Sequence, residues 1–203
     1  MVTSMDLVSV SGEELRNLQV WNRSVRLENL SALSRRWRLA QSGALDNMRM
    51  TERLFPGQRN LLELLAVCTE EEVVRMADCA TPLFGLKLRC TEFKLDGFGS
   101  RITEPVEAES FEESFVALAA RLDAVRTDLE QARIVFSLSK AEALWLSRYC
   151  PQELYALARD PAMVLTQVVH WDYFVVSVTR SLSREQRSLF SAVSRRSSAA
   201  AVV

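Results

Sequence analysis

Two stretches of the chain that start 81 residues apart follow the same pattern, and this repetition limits the folds open to the sequence. The first, Thr69–Leu88, reads TEEEVVRMADCATPLFGLKL. Thr69 and Glu72 form a capping box, in which each side chain binds a backbone N–H of the other residue, so a helix is predicted to start here. Pro82 ends that helix, and the apolar segment LFGLKL is predicted to be extended.

The second stretch, Cys150–Val169, repeats the order of these signals. Pro151 suits the first turn of a helix, and Asp160-Pro161 ends it. The apolar segment MVLTQVVHWDYFVVSV is predicted to run on as an extended chain. A shift of 81 residues aligns Phe55 with Phe136, Leu65 with Leu146, Glu72 with Glu153, Met76 with Leu157, Ala77 with Ala158 and Leu83 with Val164. Tandem duplication explains this agreement, and so does chance similarity between two amphipathic helical stretches.

The order of elements is long helix, two short helices and an extended segment, and then the same again. With only 6 Gly and 5 Pro, the composition favours an all-α, mainly helical fold. Ser11 with Glu14 predicts the start of the first long helix and Ser110 with Glu113 that of the second, and Ser139 with Glu142 and Ser183 with Gln186 predict short ones. The predicted boundaries are residues 11–90 for a first module, 91–109 for a linker, 110–195 for a divergent second module and 196–203 for a disordered tail.

Composition and motifs argue against several classes of function. The net charge of −1 does not favour strong electrostatic binding of nucleic acid by the chain alone. The four cysteines form no CxxC pair and there is a single histidine, so no zinc motif is present and no metal or cofactor is expected. The cysteines are predicted to be reduced core residues, with a disulfide or metal role as the alternative. With neither a secretion signal nor a membrane-spanning run, the sequence is predicted to be cytoplasmic.

The first module carries a set of landmark positions over residues 29–90: Asn29-Leu30-Ser31, Leu39-Ala40-Gln41, Leu65, Thr69, Val74-Arg75-Met76-Ala77 and Leu83. At these positions it resembles the flagellar transcriptional regulator FlhD family. Residues 115–172 fit the same pattern more loosely. The chain departs from the family at Leu54-Phe55-Pro56-Gly57, where an arginine-leucine-glycine turn is usual. It also has Phe84 and Gly85 where some relatives have a cysteine and a basic or polar residue, so no intersubunit disulfide is carried over.

The resemblance implies an all-helical subunit that dimerises, binds the zinc-carrying partner FlhC and supports promoter binding in the complex. Two modules in one chain suggest a pseudo-dimer, in which one polypeptide supplies both halves of the symmetric dimer. The function expected from this resemblance is that of a non-enzymatic regulator subunit that docks an FlhC-like protein and activates transcription. An antagonist that sequesters the FlhC-like partner is one alternative.

Two sets of residues are candidates for these contacts. The basic residues predicted to touch DNA are Arg35, Arg36, Arg38, Arg101, Arg184, Arg187, Arg195 and Arg196, with an ordinary solvated helix face as the alternative for the first three. The apolar residues predicted to mediate assembly are Leu83, Phe84, Leu86, Val164, Leu165 and Trp171. A different class of function, an enzyme, would use His170 with Asp172 on the same face of a strand, against the alternative of a partly buried structural histidine.

Overall fold

The computed structural model describes residues 12–43, 51–52, 54–86, 88, 105–160 and 163–200. These residues form nine helices and two short strands. Their bounds are α1 Gly12–Gln41, α2 Arg59–Val67, α3 Glu70–Ala77, β1 Phe84–Leu86, α4 Pro105–Thr127, α5 Leu129–Phe136, α6 Lys140–Leu146, α7 Pro151–Leu157, β2 Leu165–Gln167, α8 Trp171–Thr179 and α9 Arg184–Ala200. The predicted mainly helical fold is confirmed. No helix in the described part of the chain combines the length and apolar character needed to cross a lipid bilayer.

The two long helices α1 and α4 pack against each other and organise the core. Helices α2 and α3 pack on α1, whereas α5, α6 and α7 pack on α4. We call residues 12–88 the N-half and residues 105–200 the C-half. One continuous cluster of buried apolar side chains extends through both, from Val25 on α1 to Phe174 on α8.

A two-stranded antiparallel ladder joins the halves. Gly85 lies opposite Thr166, with Phe84 opposite Gln167 and Leu86 opposite Leu165. The extended segments predicted after Pro82 and Pro161 are therefore confirmed, although each strand is only three residues long.

Three capping boxes predicted from the sequence are present at helix starts. The hydroxyl of Thr69 accepts from the N–H of Glu72, whose carboxylate accepts from the N–H of Thr69 at 2.8 Å. Ser139 and Ser183 begin α6 and α9 in the same manner. The box predicted at Ser11 lies outside the described residues.

The predicted extended segment after Met163 is wrong beyond Val169. The nine residues of α8 are helical, and the imidazole of His170 caps them by accepting from the N–H of Asp172. Tyr173, Phe174 and Ser177 are buried on one helical face. Packing of this face outweighs the β-propensity of the valines around it.

Two other boundaries also differ from the sequence prediction. Helix α4 begins at Pro105, where proline suits the first turn, so residues 105–109 are helical and Ser110 does not cap a helix. Both Ser110 and Glu113 are buried inside α4, where Glu113 has an ion-pair partner. At the other end, α9 continues to Ala200, so residues 196–200 are helical rather than a disordered tail.

Candidate assembly interface

Two buried ion pairs cross between the long helices. Arg36 on α1 pairs with Glu113 on α4, and Arg121 on α4 pairs with Glu28 on α1 at 2.8 Å. All four side chains are at most 3% exposed. A buried charge is tolerated only when it is paired and hydrogen-bonded, so each half depends on the other to neutralise its arginine.

Each arginine also reaches the strand of the opposite half. The Nη2 of Arg36 donates to the carbonyl of Leu165 in β2, and the Nη2 of Arg121 donates to the carbonyl of Phe84 in β1, both at 3.3 Å. The guanidinium of Arg36 lies 4.8 Å from the ring centroid of Phe55, and that of Arg121 lies 4.8 Å from that of Phe136. Cation–π contact adds to the hydrogen bonds that hold the two charges in place.

The contacts on the two sides are related by constant shifts along the chain. A shift of 85 residues takes Glu28 to Glu113 and Arg36 to Arg121. A shift of 81 residues takes the Phe55 ring to Phe136, and the Phe84 carbonyl to that of Leu165. The same shift of 81 relates Gly85 to Thr166, the central pair of the ladder. When each of these residues is replaced by its counterpart in the other half, the same ion pairs, the same carbonyl acceptors and the same strand register result.

The long helices also hold the loops that precede the strands. Asn29 on α1 donates to the carbonyl of Thr81 and accepts from the N–H of Leu83, at 3.0 and 2.9 Å. Ser114, which lies 85 residues later on α4, donates to the carbonyl of Met163. In each half, a small polar side chain of the long helix positions the segment that enters the strand.

Burial changes the acidity of the groups in these pairs. Burial lowers the pKa of Arg36 to about 9, which still leaves the guanidinium charged at neutral pH. Burial also raises the pKa of the Glu28 carboxyl, and the charge and hydrogen bond of Arg121 oppose that rise. Burial of Glu28 therefore places an energetic cost on its ionised carboxylate, which the pairing with Arg121 partly offsets.

The residues predicted to mediate assembly lie where the halves meet. Leu83, Phe84, Leu86 and Leu165 are buried at the strand ladder. Val164 and Trp171 are partly exposed, and Trp171 packs against the main core. The contact that these residues make in this structure is therefore within one chain.

Helices α8 and α9 break the exchange relation, because both dock on the N-half. The hydroxyl of Tyr173 donates to the carbonyl of Met76 at the end of α3, at 2.6 Å. Arg187 of α9 pairs with Asp78 at 2.9 Å, and Ser188 accepts from the N–H of Ala80 at 3.0 Å.

The arginines predicted to contact DNA are dispersed and differ in exposure. Arg36 is fully buried, so the prediction for this residue is wrong: both a DNA contact and a solvated face require exposure. Arg187 is also buried by its pairing with Asp78, so its prediction is wrong for the same reason. Among the others, Arg35 pairs with Glu112, Arg184 pairs with Asp78, Arg195 donates to the carbonyl of Val135 and Arg38 is exposed. Arg101 and the side chain of Arg196 lie outside the described residues.

His170 lies at a helix start, and both it and Asp172 are more than half exposed. The imidazole caps α8, which is a structural role, but the side chain is exposed and not partly buried as predicted. The strand geometry proposed for an enzyme does not occur, because residues 171–179 are helical. Cys68 and Cys79 are buried free thiols, as predicted for core residues, and Cys150 is a partly exposed one; Cys90 lies outside the described residues. Among the described residues, no group of His, Cys, Asp or Glu is arranged to hold a metal ion.

Sequence reasoning missed the roles of Glu28, Glu113 and Arg121. A signal for them exists, since Arg121 falls among Leu118, Leu122 and Val125 on the apolar face of α4. A charge on such a face requires a partner, although the sequence does not identify it.

Compared with protein-family models, curated proteins and solved structures, the chain matches none.

Proposed function

We propose that the two halves are tandem FlhD-like copies that form a pseudo-dimer, and that the chain is a non-enzymatic subunit of a cytoplasmic transcriptional regulator. In this role it docks an FlhC-like protein and supports promoter binding by the complex. The observation that carries the proposal is the pair of crossed ion pairs, Arg36–Glu113 and Arg121–Glu28, together with a strand register centred on Gly85 and Thr166. A symmetric dimer produces reciprocal contacts of this kind, because residue i of one copy meets residue j of the other and the reverse.

The crossed pairs explain how one half selects the other. An unpaired guanidinium in this core is costly, so any pairing of halves that separates Arg36 from Glu113 is disfavoured. The interface is thus suited to hold a fixed scaffold and has no described cluster for chemistry. This supports an assembly role over the enzyme alternative.

Charge supports a division of labour between the chain and its partner. The net charge is −1, and Arg36, Arg35, Arg184 and Arg187 all have carboxylate partners within the chain. Non-specific affinity for DNA comes mainly from cations that neutralise phosphates. The isolated protein is therefore expected to bind promoter DNA weakly, and the partner to supply most of the positive charge.

Co-expression with a tagged FlhC-like protein tests the proposal. We expect a stable complex on affinity capture and size exclusion with light scattering, and a promoter fragment retained in a mobility-shift assay only when both proteins are present. Failure of any FlhC-like protein to be captured at micromolar concentration contradicts the proposed role. Nanomolar promoter binding by the pure protein at physiological salt contradicts the division of labour.

The neutralised arginines also favour a second candidate function, that of an antagonist. A chain that binds the FlhC-like partner and adds few DNA contacts would sequester it. A reporter assay in cells separates the two functions by sign, since an activating subunit raises promoter output and an antagonist lowers the output of an existing FlhD–FlhC pair. A variant with Arg36→Met, which is expected to destabilise the scaffold, serves as the control for non-specific effects of expression.

A further inference from the structure

A groove on the N-half lies between α1 and α3, beside the point where α9 of the C-half docks at Asp78. Leu27, Leu30 and Val74 line its apolar part, and Arg23, Arg26 and Asp78 line its rim. Its volume is about 240 Å³, below the usual range of about 300–1,000 Å³ for small-molecule pockets. Leu27 is 56% exposed and Val74 is 46% exposed, and both are large apolar side chains that a folded protein usually buries. This open apolar groove is called the N-half groove below.

The corresponding place in the C-half is filled. The shifts of 85 and 81 residues put Phe111 at the position of Arg26, Phe115 at that of Leu30 and Tyr155 at that of Val74. The ring of Tyr155 lies edge-on to those of Phe111 and Phe115, with centroids 4.8 and 5.8 Å away. The C-half therefore closes with aromatic rings at the place where the N-half remains open.

This comparison indicates which chemistry suits the N-half groove. Edge-to-face aromatic packing stabilises the filled version, so a large aromatic or branched apolar side chain suits the open one. An amphipathic helix is the common way for a protein to present such side chains to a groove between two helices.

The rim of the groove selects for negative charge. Asp78 accepts three guanidinium groups, from Arg26 at 2.6 Å, Arg187 at 2.9 Å and Arg184 at 3.6 Å. Arg23 is a further, exposed cation at the lining. Glu185 is the second carboxylate that interacts with Arg184 and Arg187, so four arginines face two carboxylates. The local excess of positive charge complements an acidic partner.

We infer that the N-half groove docks an acidic amphipathic helix of a partner protein, and that each chain therefore binds one such partner and not two. The occupant places an aromatic or leucine side chain between Leu27 and Val74, and its carboxylates meet Arg23, Arg26 and Arg184, whose side chains keep exposed surface, whereas Arg187 is buried against Asp78. At the equivalent place among the described residues of the C-half, the rings of Phe111, Phe115 and Tyr155 occupy the space that such a side chain would take. This inference deepens the proposed function by locating its partner.

A designed peptide tests the groove without the natural partner. The probe is a fluorescein-labelled helical peptide with Phe and Leu on one face, at the i, i+3, i+4, i+7 spacing of groove-binding helices, and Glu on its flanks. Its binding to the full chain is measured by fluorescence anisotropy. A second peptide with Lys in place of every Glu is the charge control. We expect saturable binding of the acidic peptide that weakens as salt rises, and little binding of the basic one.

Single substitutions on exposed positions test the site. Leu27→Glu is expected to lower the affinity for the acidic peptide by about tenfold or more, the equivalent of about 1.4 kcal/mol. Arg23→Glu is expected to lower the same affinity and to reduce its dependence on salt. Ile134→Glu is the matched control, since Ile134 is an equally apolar, 73% exposed residue on α5. Circular dichroism melting identifies any variant that does not fold. If Leu27→Glu does not fold, Arg23→Glu still tests the site, because Arg23 is exposed and its substitution is expected to leave the fold intact.

Other occupants give distinct results. Peptide binding that appears only after deletion of residues 1–10 would show that this segment of the chain occupies the groove and would overturn the inference. A change of oligomeric state in the Leu27→Glu variant would assign the groove to a second copy of the chain, and this result would also overturn the inference.

The FlhC-like protein separates this inference from the proposed function. Equal capture of that protein by the wild-type chain and by Leu27→Glu would refute the groove and leave the proposed function standing. Peptide binding that Leu27→Glu abolishes, with no capture of an FlhC-like protein, would support the groove and refute that function. A ratio of one captured partner per chain, measured by native mass spectrometry, is the stoichiometry expected, and a ratio of two contradicts the inference.

Discussion

Replacement of Arg36 by methionine is the perturbation that most directly tests the crossed ion pairs. The change removes a fully buried guanidinium that pairs with Glu113, donates to the carbonyls of Ala32 and Leu165, and binds the side chain of Gln58 at 2.9 Å. It leaves Glu113 charged, 3% exposed and without its cation. Removal of one member of a buried pair costs about 3–5 kcal/mol, a large share of a total stability of about 5–15 kcal/mol.

The double variant Arg36→Met with Glu113→Leu separates loss of charge balance from loss of contacts. Because both charges disappear, no buried ion remains unpaired, and we expect most of the stability to return. The coupling energy between the two sites is then on the order of 3 kcal/mol, at the upper end for residues in contact. Arg121→Met with Glu28→Leu should repeat the result, since it is the same contact after exchange of the halves.

Urea denaturation followed by circular dichroism at pH 7 measures these changes as free energies of unfolding. Arg59→Met is the control, because the Arg59–Glu63 pair is about two-thirds exposed and such pairs contribute about 0–1 kcal/mol. If Arg36→Met does not fold, Glu113→Gln provides the milder test. The reasoning is refuted if Arg36→Met costs less than about 1 kcal/mol, or if the double variant loses as much as the sum of the singles.

Three further predictions concern the ladder, the docked helix and one titrating group. Gly85→Ala should destabilise the ladder by about 1–3 kcal/mol, because an added Cβ would lie 2.6 Å from Cγ1 of Val168; an unchanged urea midpoint would contradict this. Tyr173→Phe should cost about 1–3 kcal/mol, because the buried carbonyl of Met76 loses its side-chain donor, and faster amide exchange in α8 is the readout. Burial raises the pKa of Glu28 above its usual value near 4.5, so the folded chain holds that proton longer than the unfolded chain; this contribution to stability is complete below pH 4.5 and is lost as pH rises. Glu28→Gln should therefore flatten that fall in urea stability above pH 4.5, and an unchanged slope would refute the assignment.

Local signals explain why the starts of α3, α6 and α9 were predictable. A capping box involves two residues three positions apart, so the starts of α3 at Thr69, α6 at Ser139 and α9 at Ser183 depend on little beyond their neighbours. Proline acts equally locally, through its fixed φ and missing N–H, and the chain turns extended after Pro82 as predicted. The mainly helical class follows from the same local preferences added over the chain.

The helical state of residues 171–179 and the start of α4 were not predictable in this way. The segment WDYFVVSVT is rich in β-branched residues, yet Tyr173 and Phe174 bury themselves on the N-half only when it is helical. A buried face provides more free energy than the difference in β-propensity, which spans about 1 kcal/mol. Ser110 and Glu113 have the spacing of a cap but lie inside α4, where α1 supplies the partner of Glu113.

By itself the sequence determined where α3, α6 and α9 begin, that the chain is mainly helical and that two of its stretches share a pattern. The tertiary structure decided which charged residues are buried. Arg36, Arg35 and Arg38 belong to one basic run on α1, yet only Arg36 is fully buried, because Glu113 meets it from a helix 77 positions further along the chain. Helix periodicity assigns a side chain to a face, but whether that face is exposed or buried depends on the elements packed against it. A charge can remain in a core only where another part of the chain neutralises it.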